Sequence, residues 1–129
     1  MAVFLPGPEG RAGGKLIRFV VHKADQKALA VGDWTIINAA EKHVPQIKKA
    51  LRDIGADVEH GGQLPKGKQR LFVRGSVRQV QHAGKPEAEI DHAINAMSDG
   101  VLRHESRIGR GVWRQKAIRE IKRRRKEPH

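Results

Sequence analysis

The chain has no cysteine and no tyrosine. Without thiols it can build neither a disulfide framework nor a thiolate metal site, so packing alone must hold the fold. Aromatic residues are scarce. Phe4, Phe19, Phe72, Trp34 and Trp113 make up 4% of the sequence, too few for a multi-base stacking platform of the RNA-recognition type. Long apolar runs are missing as well: none approaches the roughly 20 residues needed to cross a bilayer. MAVFLPGPEGRAGG is too short, acidic and Gly/Pro-punctuated for a secretory signal. These absences lead us to expect a cytoplasmic protein with no membrane partner.

Positive charge is abundant. Lys and Arg number 26 against 14 Asp and Glu, a formal net charge of +12. Such a field attracts phosphate polymers and, less specifically, acidic proteins. Its distribution is uneven. Residues 103–129 carry eleven Lys and Arg against Glu105, Glu120 and Glu127, a net of +8, which leaves +4 for the preceding 102 residues. That asymmetry suggests a mildly basic core followed by a polyanion-binding tail. With 129 residues and 38% hydrophobic content, one modest core is the expectation.

The local patterns divide the chain into a flexible leader over residues 1–14, a compact α+β domain over 15–108, and a basic C-terminal helix and tail over 109–129. KLIRFVVH, residues 15–22, reads as the first strand, with β-branched and aromatic residues around Arg18. KADQKALAVGD suits a short helix ending near Gly32, and WTIINA suits either a second strand or the front of the next helix. Around Pro45 the spacing of Ile47, Leu51 and Ile54 gives a helix with one apolar face, terminated by Gly55. ADVEH is a short strand, separated by the bend GGQLPKGK from a longer strand over 69–81. In that strand Leu71, Val73, Gly75 and Val77 share one face; Arg70, Phe72, Arg74, Ser76, Arg78 and Val80 share the other. Ile90, Ile94, Met97, Val101 and Ile108 recur at helical spacing after Pro86, with Gly100 either ending or weakening the helix. Trp113, Ala117 and Ile121 then place a narrow apolar stripe on a strongly basic helix. The expected fold is α+β, a small mixed or antiparallel sheet with helices packed on one face.

Few motifs carry chemistry. Gly61-Gly62-Gln63 resembles the GGQ of peptide-release factors, but the likeness covers three residues, and Leu64-Pro65-Lys66 departs from the flanks of that family. We read the triplet as part of a hairpin bend. GPEGRAGGKL lacks the GKS or GKT and the preceding strand of a phosphate-binding loop. His22, His43, His60, His82, His92, His104 and His129 form no HxH or HExxH set, so no metal and no cofactor are expected. Asp57 with Glu59, and Glu87 with Asp91, share faces without a third ligand, so no catalytic set is assigned.

The cations are the strongest signal. Arg neutralises phosphate, pairs bidentately and stacks, so Lys66, Lys68, Arg70, Arg74 and Arg78 beside Phe72 suit nucleic acid. Arg114, Arg119, Lys122, Arg123, Arg124, Arg125 and Lys126 on the last helix suit phosphate without sequence preference. These residues point to a nucleic-acid-binding accessory protein, for DNA or RNA, within a larger nucleoprotein assembly that would include a protein partner. The alternatives are a small, toxin-like ribonuclease with a histidine and basic residues gathered from separate elements, and an adaptor for an acidic protein.

Overall fold

The computed structural model describes residues 2–5, 17–22 and 34–126, the first two segments as backbone. Five strands, β1 (Ala2–Leu5), β2 (Ile17–His22), β3 (Trp34–Ala40), β4 (Asp57–Leu64) and β5 (Lys68–Arg74), form one sheet in the order β1-β2-β3-β5-β4. Every neighbouring pair is antiparallel. Among the described residues there are five α-helices, α1 (Val44–Asp53) between β3 and β4 and, after β5, α2 (Val77–Gln81), α3 (Glu87–Asn95), α4 (Asp99–Ile108) and the basic α5 (Gly111–Lys126); a 3-10 turn, Glu41–His43, leads into α1. The protein is thus α+β with an antiparallel sheet.

One core joins the two layers. Ile37 and Ala39 of β3 and Leu71 and Val73 of β5 meet Ile47 and Leu51 of α1, Val80, Ile94 and Leu102 of the next three helices, and Trp113 and Ala117 of α5. Fully burying a side chain of Val, Leu or Ile size contributes about 1.5–3 kcal/mol, so these alternating strand positions dictate which sheet face the helices cover. α1 and the β5 strand contribute to this one core, as expected.

The ends of α1 are written in the sequence. Pro45 lies in the first turn, where its missing N–H has no intrahelical acceptor. At the other end the Gly55 N–H donates to the Arg52 carbonyl (2.9 Å) and the Ala56 N–H to the Leu51 carbonyl (3.0 Å), the paired bonds of a Schellman motif. Gly55 supplies the positive φ, +92°, that this geometry demands.

Several expectations need correction. Ala2–Leu5, expected within a flexible leader, is β1, paired with β2; residues 6–14 lie outside the described residues, as does the short helix expected over 23–33. The strand expected over 69–81 stops at Arg74. Ser76 accepts the Gln79 N–H at 3.0 Å and caps α2, so Val77, Arg78 and Val80 are helical. The alternation of Val73, Gly75 and Val77 mimics a strand, but Ser76-x-x-Gln79 is a helix-start pattern that outweighs it.

The helix expected from Glu87 to Ile108 is two helices. Ser98 accepts the Val101 N–H at 3.2 Å and starts α4, which places Gly100 in the first turn of a new helix and not at the end of the preceding one. The GGQ triplet is also not a bend. Gly61, Gly62 and Gln63 belong to β4, with a bulge between His60 and Gly62, and the turn is Pro65-Lys66-Gly67. Lys66 (φ 62°) and Gly67 (φ 69°) both turn left-handed there.

Candidate nucleic-acid interface

Alternation along β5 turns Leu71 and Val73 to the core and Lys68, Arg70, Phe72 and Arg74 to the opposite, outer face. Register then selects their neighbours. Arg74 pairs with Trp34, Phe72 with Ile36 and Arg70 with Asn38 across β3, while Asp57 and Glu59 of β4 lie opposite Arg74 and Phe72. The Arg74 guanidinium lies 4.5 Å from the Trp34 ring centroid, a cation–π contact. The rings of Trp34 and Phe72 meet edge to face at 6.5 Å, inclined by 70°. Arg70 Nε donates to Asn38 Oδ1 at 3.3 Å, which orients that side chain on the face.

Gly61 belongs to this arrangement. A Cβ there would lie 3.0 Å from Arg70 Cγ and 3.2 Å from Phe72 Cε1, so it is the absence of a side chain at Gly61 that leaves room for those two. Gln63 has a different task. Its Nε2 donates to the carbonyls of Lys68 (2.9 Å) and Leu64 (3.3 Å), clamping the hairpin mouth, so the triplet serves strand geometry.

The basic C-terminal helix divides into two sets. Arg114, Arg119, Lys122, Arg125 and Lys126 are exposed and make no ion pair with a described residue. Arg123 and Arg124 are instead turned onto Glu120, with Arg123 Nη2 and Arg124 Nε at 2.6 and 2.7 Å from Oε2. Arg124 also reaches Asp99 (2.7 Å) and the Asn95 carbonyl (3.0 Å), joining α5 to the end of α3 and the start of α4. Lys116, 10% exposed, bridges Glu87 at 3.0 Å and Asp91 at 2.5 Å. Its pKa is raised, chiefly by the hydrogen bond to Asp91. The carboxylates Glu87 and Asp91 thus hold a lysine of α5 against α3.

Glu120 makes a testable contribution to acid stability. Its side chain is 4% exposed, and hydrogen bonding from Arg123 and then Arg124 lowers its pKa from 4.5 to about 2, with burial opposing. A carboxyl depressed in the folded state stabilises fully above its unfolded pKa, and that stability is lost as pH falls through the folded value. Because Arg123 is half exposed and its pairing is screened, the contribution is on the order of 2 kcal/mol. Unfolding midpoints in urea should fall between pH 4.5 and pH 2 by more in the wild type than in Glu120→Gln. Parallel pH profiles would reject this role for Glu120.

Arg78 does not join the hairpin row. It stands on α2, with Nη1 3.5 Å from Oε2 of Glu105, a fully buried carboxyl. Ser76 Oγ donates a very short hydrogen bond to Glu105 Oε1, and Trp113 Nε1 donates to the same oxygen at 2.8 Å. His104 Nε2 is 4.0 Å from Oε2, and the His82 ring lies against Trp113 at 5.2 Å. Glutamate, arginine and histidine from separate elements are the residue types of a metal-independent ribonuclease. With its side chain at 0% exposure, however, Glu105 has no route to a sugar hydroxyl. Oε1 is committed to Ser76 and Trp113, Oε2 is buried facing Arg78 without a hydrogen bond, and the cluster pins α2, α4 and α5 together.

The candidate surfaces are therefore two. The outer sheet face and the exposed ridge of α5 lie on opposite sides of the sheet, since α5 buries Trp113 and Ala117 in the core beneath the inner face. This chain matches no protein-family model, no curated protein and no solved structure. Among the described residues no group of three or more His, Asp or Glu is arranged to hold a metal ion, and no helix is long and apolar enough to cross a membrane. Sequence reasoning missed Trp34 and Asn38 because their place beside Arg74 and Arg70 depends on strand register.

Proposed function

We propose that this protein binds nucleic acid, mainly through phosphate contacts, as an accessory component of a nucleoprotein assembly. The observation that carries the reading is the division of charge on α5: Glu120 is buried and neutralised, while Arg114, Arg119, Lys122, Arg125 and Lys126 stay exposed without an ion pair to a described residue. An array of exposed cations along one helix displaces counterions from a polyanion. Arg123 and Arg124 are fold-holding residues in this reading, so deleting the tail would confuse binding with stability.

The test uses Arg119, Lys122, Arg125 and Lys126, all changed to glutamine in one variant. Each phosphate contact contributes about 0.9 to the slope of log affinity against log salt on duplex DNA and about 0.7 on single strands. The variant should show a slope shallower by roughly 2–4 and an affinity reduced at least tenfold near 100 mM salt, across unrelated sequences. Unchanged slope and affinity would remove α5 as the binding surface. Incubating labelled DNA and RNA with the wild type, with and without divalent cations, tests catalysis; turnover of either polymer would overturn a pure binding role.

A further inference from the structure

We propose that the outer sheet face takes single-stranded nucleic acid, seating one base against Trp34, Arg74 and Phe72 and favouring bases that carry an exocyclic amine. This rests on the nucleic-acid reading above and assigns the sheet a task distinct from that of α5. Of the three aromatic side chains described, Trp113 is wholly buried, while Trp34 and Phe72 are placed side by side on the face turned away from the core and remain partly exposed. Ile36, between Trp34 and Asn38 on the same strand, is 4% exposed yet lies outside the main core cluster, so this face has an apolar centre of its own. Aromatic rings and arginine planes are surfaces on which an unpaired base stacks, and a duplex hides the base faces that would do so.

The surrounding charges sharpen the occupant. Beside Trp34 and Arg74 a cleft of about 520 Å³ opens at the sheet edge, bounded also by Arg52, Asp57 and Glu59. Its size falls within the usual range of small-ligand sites, roughly 300–1,000 Å³. Arg74 Nε is buried there and donates to no described residue, so the guanidinium is placed by its stacking on Trp34 and not by a hydrogen bond. Asp57 and Glu59 would repel a phosphate but accept hydrogen bonds from the amine of cytosine, adenine or guanine, as carboxylates do when they read cytosine N4. Arg70 and Lys68 extend the row away from the cleft, where the flanking phosphates would run.

Single-stranded cytosine-only and thymine-only 12-mers and a mixed-sequence duplex, titrated at one low salt concentration, test this assignment. Because Trp113 is 0% exposed, emission quenched by a stacked base reports Trp34. The wild type should show quenching with the single strands and tighter binding of the cytosine strand. Trp34→Leu and Phe72→Leu should each lose about tenfold in single-strand affinity while duplex affinity stays within twofold. Trp34→Phe should retain affinity and lose the quenching. No emission change in the wild type saturated with single strand, or leucine variants that weaken strand and duplex alike, would overturn the proposal while leaving phosphate binding by α5 standing. A wild type that binds none of the three ligands would overturn both.

Discussion

Replacing Gly55 by alanine is expected to lower the melting temperature by 10 °C or more. At φ +92° an L-side chain is strained wherever it sits, a cost of about 1–3 kcal/mol. Here the space is also closed. The added Cβ would lie 2.6 Å from the Val112 nitrogen, 2.8 Å from the Arg110 carbonyl oxygen and 2.9 Å from Gly111 Cα, all backbone atoms that cannot rotate away. Relief requires the start of α5 to withdraw from the end of α1, and Trp113, in the first turn of α5, would be drawn from the core with it. The combined loss is roughly 3–5 kcal/mol, and for a domain of this size each kcal/mol is worth about 3–5 °C. Gly100→Ala is the internal control, since the nearest atom to its Cβ is the mobile end of Arg103 at 4.0 Å. It should be neutral or stabilising by up to about 1 kcal/mol. Thermal unfolding followed by circular dichroism compares the two, and equal midpoints for Gly55→Ala and wild type would show that the α1–α5 junction is looser than described.

Glu105→Leu should destabilise the protein by about 2–5 kcal/mol, although leucine has a similar volume and is more apolar. The substitution leaves the Ser76 hydroxyl and the Trp113 Nε1–H buried without their acceptor, at about 1–3 kcal/mol for each orphaned donor. It also removes the partner facing Arg78 Nη1. Glu105→Gln keeps an oxygen for the two donors and should lose less than half as much. Combining Glu105→Leu with Trp113→Phe isolates the Trp113 bond, because a phenyl ring has no donor to strand, so the double variant should lose less than the sum of the single ones. Urea unfolding of the four proteins measures this coupling. Strict additivity, or a leucine variant as stable as wild type, would remove Glu105 as the junction of the helical layer.

These two expectations come from contacts that no local pattern announces. Gly55 was readable as a helix terminator from Leu51, Ile54 and the glycine itself, yet its apposition to Gly111 is a meeting of residues 56 positions apart. Glu105 reads in sequence as one exposed charge among Arg103, His104 and Arg107. Its burial depends on α4 turning it inward at the same level as Trp113 of α5 and Ser76 at the cap of α2. Arg78 departs from its expected place for a different, local reason: period-two alternation extends the strand pattern through Ser76, whose cap on Gln79 starts a helix.

By itself the sequence determined the quantities that are local or additive: the positive net charge and its concentration at the C-terminal end, the apolar face and both ends of α1, the inward positions Leu71 and Val73, and the α+β class that follows from mixing these periods. Tertiary structure alone decided which charges remain available. Arg123, Arg124 and Lys116 are spent on Glu120, Asp99, Glu87 and Asp91, because long side chains on packed helices pair with whatever acid the packing brings within reach. Only the register of β3 on β5 set Trp34 beside Phe72 and Arg74, since a slip of one residue would have sent Trp34 to the core face and left the outer face without its aromatic pair.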